Sequence, residues 1–301
     1  MEVYKKADEK MVDEIMRVMT SCFGDPIWIL KFFFKERFDI GNCYVCIEDK
    51  KIVSVLHVIK SKLKIGREIL NGIYIYGACT LREYRKRGYM TGLINYVHEI
   101  YSKSGYECSF LLPANQEVSK FYEKIGYKNF FKLRRCEFSK NEIIDLCKEN
   151  TDEVSDCSLS LKEIEALRQE IYERSCGVIY SERDIGFAGK LYELFSSGAV
   201  VSTEFGYAIC GFVSSGEIKI RDFTCKTPGI IGLIKKIYSR FPGQRKYIIE
   251  TSTQNRFFKN FGNAVDYGMI MPLSNLASGL IETAGYFCES GSYPYMGISL
   301  E

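Results

Sequence analysis

The sequence predicts a mixed α/β protein built from two similar halves. Helical and strand-like hydrophobic patterns alternate along the chain, the strand-like runs are short and bounded by turn residues, and a similar order of elements returns after residue 160. The composition fits this class, because 301 residues of which 46% are hydrophobic and 26% charged correspond to about two ordinary globular domains. No apolar run reaches the ~18 residues of a membrane-spanning helix, so no membrane partner is expected.

Two helices are predicted at the start of the chain. Residues 7–21 place apolar side chains at a helical spacing, namely Met11, Ile15, Val18 and Met19. Asp25 and Pro26 are residue types favoured at the N-cap and at the first helical position. They therefore predict the start of a second helix, which runs to about residue 38.

Strands and helices then alternate up to residue 140. The predicted strands are the runs CYVCIE, IVSVLHVI, GIYIYGACT, CSFLLP and YKNFFKLRRCEF, which are rich in β-branched and aromatic residues. One helix is predicted from Gly88 to about Lys103, and another over EVSKFYEKIG. This order predicts one layered α/β domain over residues 1–140.

The second half has a similar pattern. Residues 141–160 are acidic and rich in hydroxyl groups, and they predict a linker. Beyond it two helices, three strands, a helix and a strand are predicted over the runs LKEIEALRQEIYER, ERDIGFAGKLYELF, AVVST, YAICGFV, EIKIRDFT, GIIGLIKKIYSRF and KYIIETS. We interpret residues 161–301 as a second, related domain, and no role is predicted for residues 273–301.

The twelve cysteines do not predict disulfides or a metal site. They are scattered singly, mostly in strand-like runs, and the N-terminus carries charges where a secretory signal has an apolar stretch. We therefore expect a cytoplasmic protein whose thiols are reduced and buried. Cys43 and Cys46 form a Cys-x-x-Cys pair, but in an alternating strand their thiols point to opposite faces.

The charge distribution favours an anionic ligand in the first half. Residues 1–140 carry 25 Lys and Arg against 17 Asp and Glu, whereas the remainder carries 16 against 21. Ordinary surface composition can also produce an asymmetry of this size. The lysines and arginines do not cluster as they do in nucleic-acid-binding proteins, so nucleic acid is not an expected partner.

The clearest chemistry lies in the segment Tyr76–Met90, where a strand, a basic loop and a helix follow one another. The free N–H groups of a first helical turn, together with the positive end of the helix dipole, form an anion site. Gly88 lets a ligand approach the backbone. Positive charge comes from Arg82, Arg85, Lys86 and Arg87. Basic side chains are disfavoured at a helix N-terminus, so this cluster indicates a bound phosphate or pyrophosphate rather than an empty, solvated helix end.

Two motifs resemble the GNAT superfamily of N-acetyltransferases. Arg85-Lys-Arg-Gly88 is similar to the acetyl-CoA pyrophosphate loop of that superfamily, and FYEKIGY (121–127) is similar to its FYEKxGF helix. The superfamily loop usually continues Gly-x-Gly or Gly-x-Ala, whereas Gly88 is followed here by Tyr89-Met90. A bulky residue at this place resembles the enhanced-intracellular-survival (Eis) branch, whose members carry a second, degenerate GNAT-like domain. The resemblance implies a shorter, two-domain relative of that branch, since this chain is too short for a full sterol-carrier-like third domain.

The resemblance also implies acetyl-CoA as co-substrate and assigns the residues that contact it. The pyrophosphate is expected on the backbone amides of Arg85, Lys86, Arg87, Gly88, Tyr89, Met90 and Thr91. The pantetheine arm is expected to pair with the end of the preceding strand, at Ala78, Cys79 and Thr80, which also orients the thioester carbonyl. No metal is implied.

The resemblance makes Tyr122 the general acid that protonates the departing CoA thiolate. A phenol with a pKa of ~10 is protonated at neutral pH, although Tyr122 could also be a core aromatic of its helix. His57 is a candidate base or substrate contact, or else a structural histidine, and His98 is expected to be a surface or packing residue. Further candidate bases are Glu83, Asp25 and the carboxylate of Glu301. Cys79 is expected to pack rather than to act as a nucleophile.

These observations together predict an N-acetyltransferase whose amine acceptor attacks acetyl-CoA directly in a ternary complex. The acceptor stays open among aminoglycosides, polyamines, amino acids and protein lysines. The second half is expected to wall the acceptor cleft, and the Eis resemblance points to a homo-oligomer. The alternatives are a catalytically decayed CoA-binding regulatory or scaffold protein, and an aminoacyl or peptidyl transferase; the net acidic second half disfavours the latter.

Overall fold

The computed structural model describes residues 2–148, 157–173, 175–287 and 292–298. In the first half the elements are β1 (Val3–Lys6), α1 (Val12–Phe23), α2 (Ile27–Glu36), β2 (Cys43–Glu48), β3 (Lys51–Ile65), β4 (Glu68–Thr80), α3 (Tyr89–Lys103), β5 (Cys108–Leu111), α4 (Gln116–Lys124) and β6 (Lys128–Ser139). In the second half they are α5 (Lys140–Lys148), α6 (Leu161–Ile171), β7 (Gly177–Ile179), α7 (Glu182–Ser196), β8 (Ala199–Thr203), β9 (Gly206–Ser214), β10 (Glu217–Cys225), α8 (Ile230–Arg240), β11 (Lys246–Thr251), β12 (Gly262–Pro272) and α9 (Asn275–Phe287).

Most predicted elements of both halves are present, with the following differences. The segment 141–160, predicted as a linker, begins with α5, whose Ile143 and Leu146 are buried. Part of that segment and Glu301 lie outside the described residues. The hairpin of β3 and β4 is longer than predicted and turns at Gly66, where φ is +61°. The strands β1, β7 and β12 and the helix α9 were not predicted.

All the strands belong to one sheet, in the order β1-β2-β3-β4-β5-β12-β6-β11-β10-β9-β8, with β7 paired to β3. β4 and β5 are parallel and joined through α3, and β10 and β11 are parallel and joined through α8. The predicted mixed α/β fold and the repeated element order are therefore confirmed.

The last strand of each half completes the other half of the sheet. β6 ends the first half, yet it pairs antiparallel with β11 of the second half. β12 ends the strands of the second half, yet it pairs antiparallel with β5 of the first half. β6 and β12 also pair with each other, so this exchange joins the two halves into one continuous sheet.

Helices cover both faces of the sheet and leave a cleft between the halves. One hydrophobic core contains residues of α1 and α2 together with residues of α6 and α7. Two separate cores lie under α3 and α4 in the first half and under α5 and α8 in the second. The rings of Phe32 and Phe187 stack with centroids 5.5 Å apart, and Arg37 Nη2 lies 2.6 Å from Asp184 Oδ1. These contacts hold α2 against α7.

The cysteines follow the predicted alternation. Cys43 packs in the core under α1 and α2, whereas Cys46 packs in the core under α3, so the two thiols lie on opposite faces of β2. Among the residues that the structure describes, no group of three or more His, Cys, Asp and Glu side chains could hold a metal ion. No helix in this part of the chain is long and apolar enough to cross a bilayer.

Candidate active site

A bulge in β4 shapes one wall of the candidate site. Val55 pairs with Cys79 and His57 pairs with Tyr76, so two residues of β4, Gly77 and Ala78, lie opposite a single residue of β3. Gly77 has a φ of +57°, which an L side chain rarely adopts. The bulge breaks the regular pairing and turns the end of β4 toward the cleft.

The predicted anion loop has the geometry of an uncapped helix start. Gly88, with a φ of +88°, is the N-cap of α3 and supplies no side-chain cap. The amides of Tyr89, Met90 and Thr91 fall in the first helical turn, where no carbonyl lies four residues back to accept them. A Cβ at Gly88 would meet no atom within 4 Å, so the space above this turn is open. The backbone therefore offers a preformed anion site.

Aromatic and backbone contacts hold the basic loop in place. Arg85 Nε donates to the carbonyl of Thr80 at 3.0 Å. The Arg87 guanidinium and the Lys51 ammonium each lie 5.4 Å from the ring centroid of Tyr84. Lys51 also pairs with Glu83 at 3.6 Å. Glu83 is thus part of a surface ion pair beside the loop and does not line the cleft, which removes the geometric support for it as a base.

A cavity of about 600 Å³ lies between the two halves. The first half contributes Asp25, Ala78 and Tyr122 to its lining, and the second half contributes Tyr192 and Arg221. Most of the other lining side chains are apolar, among them Leu30, Phe33, Leu112, Leu191, Phe195, Phe212 and Val213. The second half therefore walls the cleft, as expected from the sequence.

Tyr122 and the end of β4 meet in this cavity. Tyr122 is 7% exposed and lies on α4, whose first turn is capped by Asn115 through a 3.0 Å bond from the amide of Val118. The rings of Phe121 and Tyr127 contact the Tyr122 ring with centroids 5.1 and 5.5 Å away. Phe121 packs against the core under α3 and α4. The structure thus brings Tyr122 to the cavity that Ala78 lines.

His57 lies apart from that cavity. It is 3% exposed and packs edge-on against Phe33 and Phe38, with ring centroids 5.2 and 5.1 Å away. Neither ring nitrogen has a hydrogen-bond partner within the described chain, and desolvation by burial lowers its pKa to about 3. His57 lines a smaller cavity of about 260 Å³ beside Arg37 and Asp39. The structure therefore does not place His57 next to Tyr122.

Two other predicted residues have structural roles. His98 is buried on α3, and its Nε2 lies 3.0 Å from the hydroxyl of Tyr127. Of the two roles expected for it, surface residue or packing residue, the structure shows packing. Cys79 is also buried. A hydrogen bond to Cys22, together with burial, raises the pKa of the Cys79 thiol well above its usual value. A thiol held in the neutral form is a poor nucleophile.

Asp25 has a different position from the one predicted. Pro26, with ψ at 136°, occupies the N-cap of α2, and no side chain caps that helix end. The carboxyl of Asp25 is therefore not used as a cap, and Asp25 lines the cavity instead. Desolvation by burial raises the pKa of this carboxyl. Of the candidate bases within the described residues, Asp25 is the one that shares the cavity with Tyr122.

Arg221 was not predicted as a site residue. It lies on β10, within the run EIKIRDFT, whose alternating polar residues are typical of a solvated strand face. Its guanidinium instead lies 4.3 Å from the ring centroid of Tyr192, and Nη1 is buried without a hydrogen-bond partner among the described residues. Arg221 is the basic residue of the described cavity lining, as Asp25 is the acidic one.

Comparison with known proteins gives a family match for the first half of the chain. Residues 3–130 match the sequence model of the family described as Acetyltransferase (GNAT) domain. No curated protein matches the sequence.

Solved structures share the fold of nearly the whole chain. A GCN5-related N-acetyltransferase from Kribbella flavida is 16% identical with a TM-score of 0.72, over 92% of this chain and 73% of that one. A GCN5-related N-acetyltransferase from Anabaena variabilis is 17% identical with a TM-score of 0.71, over 92% and 74%. Eis1 from Mycobacterium abscessus is 12% identical with a TM-score of 0.63, over 91% and 74%. The predicted fold, a GNAT-like domain followed by a second GNAT-like domain, is confirmed.

Proposed function

We propose that this chain, whose residues 3–130 match the GNAT acetyltransferase domain family, is an N-acetyltransferase that moves an acetyl group from acetyl-CoA to a primary amine. Domains of this family use acetyl-CoA and act on amine acceptors. One observation carries the proposal for this chain. The bulged end of β4 is followed along the chain by the uncapped start of α3, and its residue Ala78 lines the cavity that Tyr122 also lines. A donor site and an acceptor site thus meet at Ala78.

The residues of the loop suit the anionic end of acetyl-CoA. The amides of residues 85–91, open above Gly88, would bind the pyrophosphate, and the nearby basic side chains would add charge. The pantetheine arm would lie along Ala78, Cys79 and Thr80, with the thioester at the mouth of the cavity. The Thr80 hydroxyl is paired with Ser54 at 2.8 Å and its carbonyl with Arg85. We therefore expect pantetheine contacts mainly at Ala78 and Cys79.

Two side chains of the cavity have the chemistry that amine acetylation needs. An ammonium must lose a proton before its nitrogen can attack the thioester carbonyl, and Asp25 would accept that proton or position the water that does. As the new C–N bond forms and the C–S bond breaks, Tyr122 would donate its phenolic proton to the departing thiolate. Cys79 stays protonated in this scheme, so the amine attacks directly and no acyl-enzyme forms.

Calorimetric titration with acetyl-CoA tests the donor site. Wild-type protein is expected to bind saturably, and Gly88→Glu is expected to lose most of the affinity, because it places bulk and negative charge against the pyrophosphate. Gly105→Glu is the matched control. Gly105 also has a positive φ, +81°, with no atom within 4 Å of its Cβ position, but it lies beyond the other end of α3. Equal binding by both variants and wild type would refute the loop assignment.

Thiol release from acetyl-CoA in the presence of an amine panel tests the catalytic part. Acceleration by at least one primary amine over the hydrolysis background is the expected result. Saturable binding of acetyl-CoA without acceleration by any amine would favour the CoA-binding scaffold instead.

A further inference from the structure

The cavity contains a half-buried guanidinium, that of Arg221, with one unpartnered nitrogen that the acetyl transfer described above does not use. Nη1 of Arg221 is buried and has no hydrogen-bond partner in the described chain, and the guanidinium stacks on Tyr192. A buried N–H group without an acceptor is costly, and a charged one more so. The lining around it is mostly apolar, so a ligand group is the natural partner.

The strand that carries Arg221 has a bulge directly after this residue. Arg221 pairs with Ile209 and Thr224 pairs with Tyr207, so two residues of β10 lie opposite one residue of β9. The first of these two is Asp222, with a φ of +47°. Like the bulge at Gly77 in β4, it lies next to a residue that lines the cavity.

A buried network holds the bulge in β10. Arg168 Nη1 lies 2.8 and 3.1 Å from the two carboxylate oxygens of Asp222, and the hydroxyl of Tyr207 also donates to that carboxylate. Arg168 and Asp222 are almost fully buried. A left-handed conformation at a residue other than glycine is disfavoured unless its surroundings hold it. The network therefore fixes the residue next to Arg221.

Acetyl-CoA itself does not account for this charge. The anionic part of that molecule is expected at residues 85–91, and none of those residues lines the cavity that Arg221 enters. The thioester end, which is expected at Ala78, is uncharged. The partner of Arg221 is therefore expected on the acceptor.

We propose that the acceptor is a free amino acid with an apolar side chain, whose carboxylate is bound by Arg221. This inference rests on the proposed acetyl transfer. Guanidinium binds carboxylate through paired N–H bonds, and stacking on Tyr192 leaves those bonds free to form. Asp25 lies in the same cavity to receive the amine, and the apolar lining suits the side chain. A cavity of about 600 Å³ has the size of a small-molecule site.

Matched acceptors test the role of the carboxylate. The rate of thiol release is measured with leucine, methionine and phenylalanine and with the corresponding amino-acid amides, which differ in the carboxylate. Wild-type protein is expected to favour the acids. In Arg221→Gln the acid-to-amide ratio of kcat/KM is expected to fall on the order of tenfold or more, the size of a lost charge-assisted hydrogen bond. Because each pair is compared across variants, differences in amine basicity cancel.

Two further variants separate this role from a structural one. Arg221→Lys keeps the charge and is expected to restore part of the ratio. Arg240→Gln removes an exposed arginine at the end of α8 and is expected to leave the ratio unchanged. A folding defect alone would lower the rates with acids and amides together and leave their ratio intact, and that result would overturn the proposal.

Fluorescence provides a readout that needs no turnover. Trp28 is the single tryptophan of the chain, and its ring lies 5.5 Å from that of Phe195 in the cavity wall. N-acetyl-L-leucine keeps the carboxylate, and its binding is expected to change this fluorescence more strongly in wild type than in Arg221→Gln. N-acetyl-leucinamide is expected to bind both proteins equally. Equal binding of the acid by the two proteins would overturn the proposal, whether or not thiol is released.

The two proposals fail in different ways. If acetyl-CoA binds and simple amines are acetylated as well as amino acids, acetyl transfer stands and the carboxylate site is refuted. If acetyl-CoA does not bind, the proposed function fails, and the fluorescence titration still tests whether Arg221 binds carboxylates.

Discussion

The strongest stability prediction concerns the buried ion pair behind the cavity. Asp222→Asn keeps the shape of the side chain, and asparagine tolerates a positive φ as aspartate does. The substitution is therefore expected to leave the backbone bulge in place and to remove only the negative charge. The substitution leaves the guanidinium of Arg168 buried, with side-chain exposure of 4%, and without its counter-charge. Breaking a buried pair by removing one partner costs about 3–5 kcal/mol. The asparagine oxygen still accepts one bond, so we expect the lower end, about 3 kcal/mol.

Thermal unfolding measures this change. At about 2–4 °C per kcal/mol for a chain of this size class, Tm is expected to fall by roughly 6–12 °C. Lys226→Met is the matched control, since it removes an ion pair with Glu170 at 2.7 Å whose side chains are 37% and 62% exposed. An exposed pair contributes about 1 kcal/mol or less.

A double variant completes the test. Arg168→Met combined with Asp222→Asn removes both charges, so its cost is expected to be well below the sum of the two single variants. An Asp222→Asn protein within about 1 kcal/mol of wild type would refute the reasoning. Additive single and double effects would refute it as well, because they would mean that the two groups do not interact.

Three further predictions concern the site. Tyr122→Phe is expected to lower kcat on the order of 10²-fold, with acetyl-CoA affinity unchanged by calorimetry; an unchanged kcat would remove Tyr122 from the mechanism. A base acts when deprotonated, and burial raises the pKa of Asp25, so kcat/KM is expected to rise with pH through a value above the usual carboxyl pKa of about 4. Asp25→Asn is expected to abolish that rise, and persistence of the same limb would exclude Asp25 as its source. His57→Leu is expected to retain turnover. Because the pKa of His57 is about 3 when folded and about 6.5 when unfolded, the unfolded state binds a proton between these values and stability falls as pH drops from 6.5 toward 3. In urea unfolding at pH 7 and 5 the variant is expected to show a smaller slope than wild type. The remaining slope comes in part from His98, whose pKa burial also lowers, to about 4. An unchanged slope would contradict the burial argument.

The elements with a single clear period were predictable from the sequence. β2 matches its predicted bounds, Cys43–Glu48. The predicted helix over residues 7–21 overlaps α1, Val12–Phe23, in which Ile15, Val18 and Met19 are buried as expected. β12 could not be predicted this way. Its first six residues are all exposed or half-buried, and four of them are polar or small, namely Gly262, Asn263, Ala264 and Asp266. Only Gly268, Met269 and Ile270 are buried. Its place between β5 and β6 is decided by tertiary pairing, which local hydrophobicity does not encode.

The site was predictable where a motif carries it. The loop at Gly88 and the helix of Tyr122 lie where the motifs place them. Asp25 was assigned to a cap because an Asp-Pro pair is typical of helix starts, and the sequence does not show that Pro26 itself takes the cap. Arg221 depends on a bulge, and a bulge built on Asp222 rather than on glycine has no recognisable local signal.

The exchange of β6 and β12 explains why the second half matters to the first. Without β12, the first half would leave β5 and β6 unpaired along the edges that now meet at the centre of the sheet. The same exchange fixes the second half at a set position, because β6 is also bonded to β11. β10, which carries Arg221, is therefore connected to the first half by backbone pairing through β11 and β6, and Arg221 lines the same cavity as Asp25 and Tyr122. If the proposed acetyl transfer holds, we expect the second half, which lacks the basic loop of the first, to determine which amine the cavity accepts.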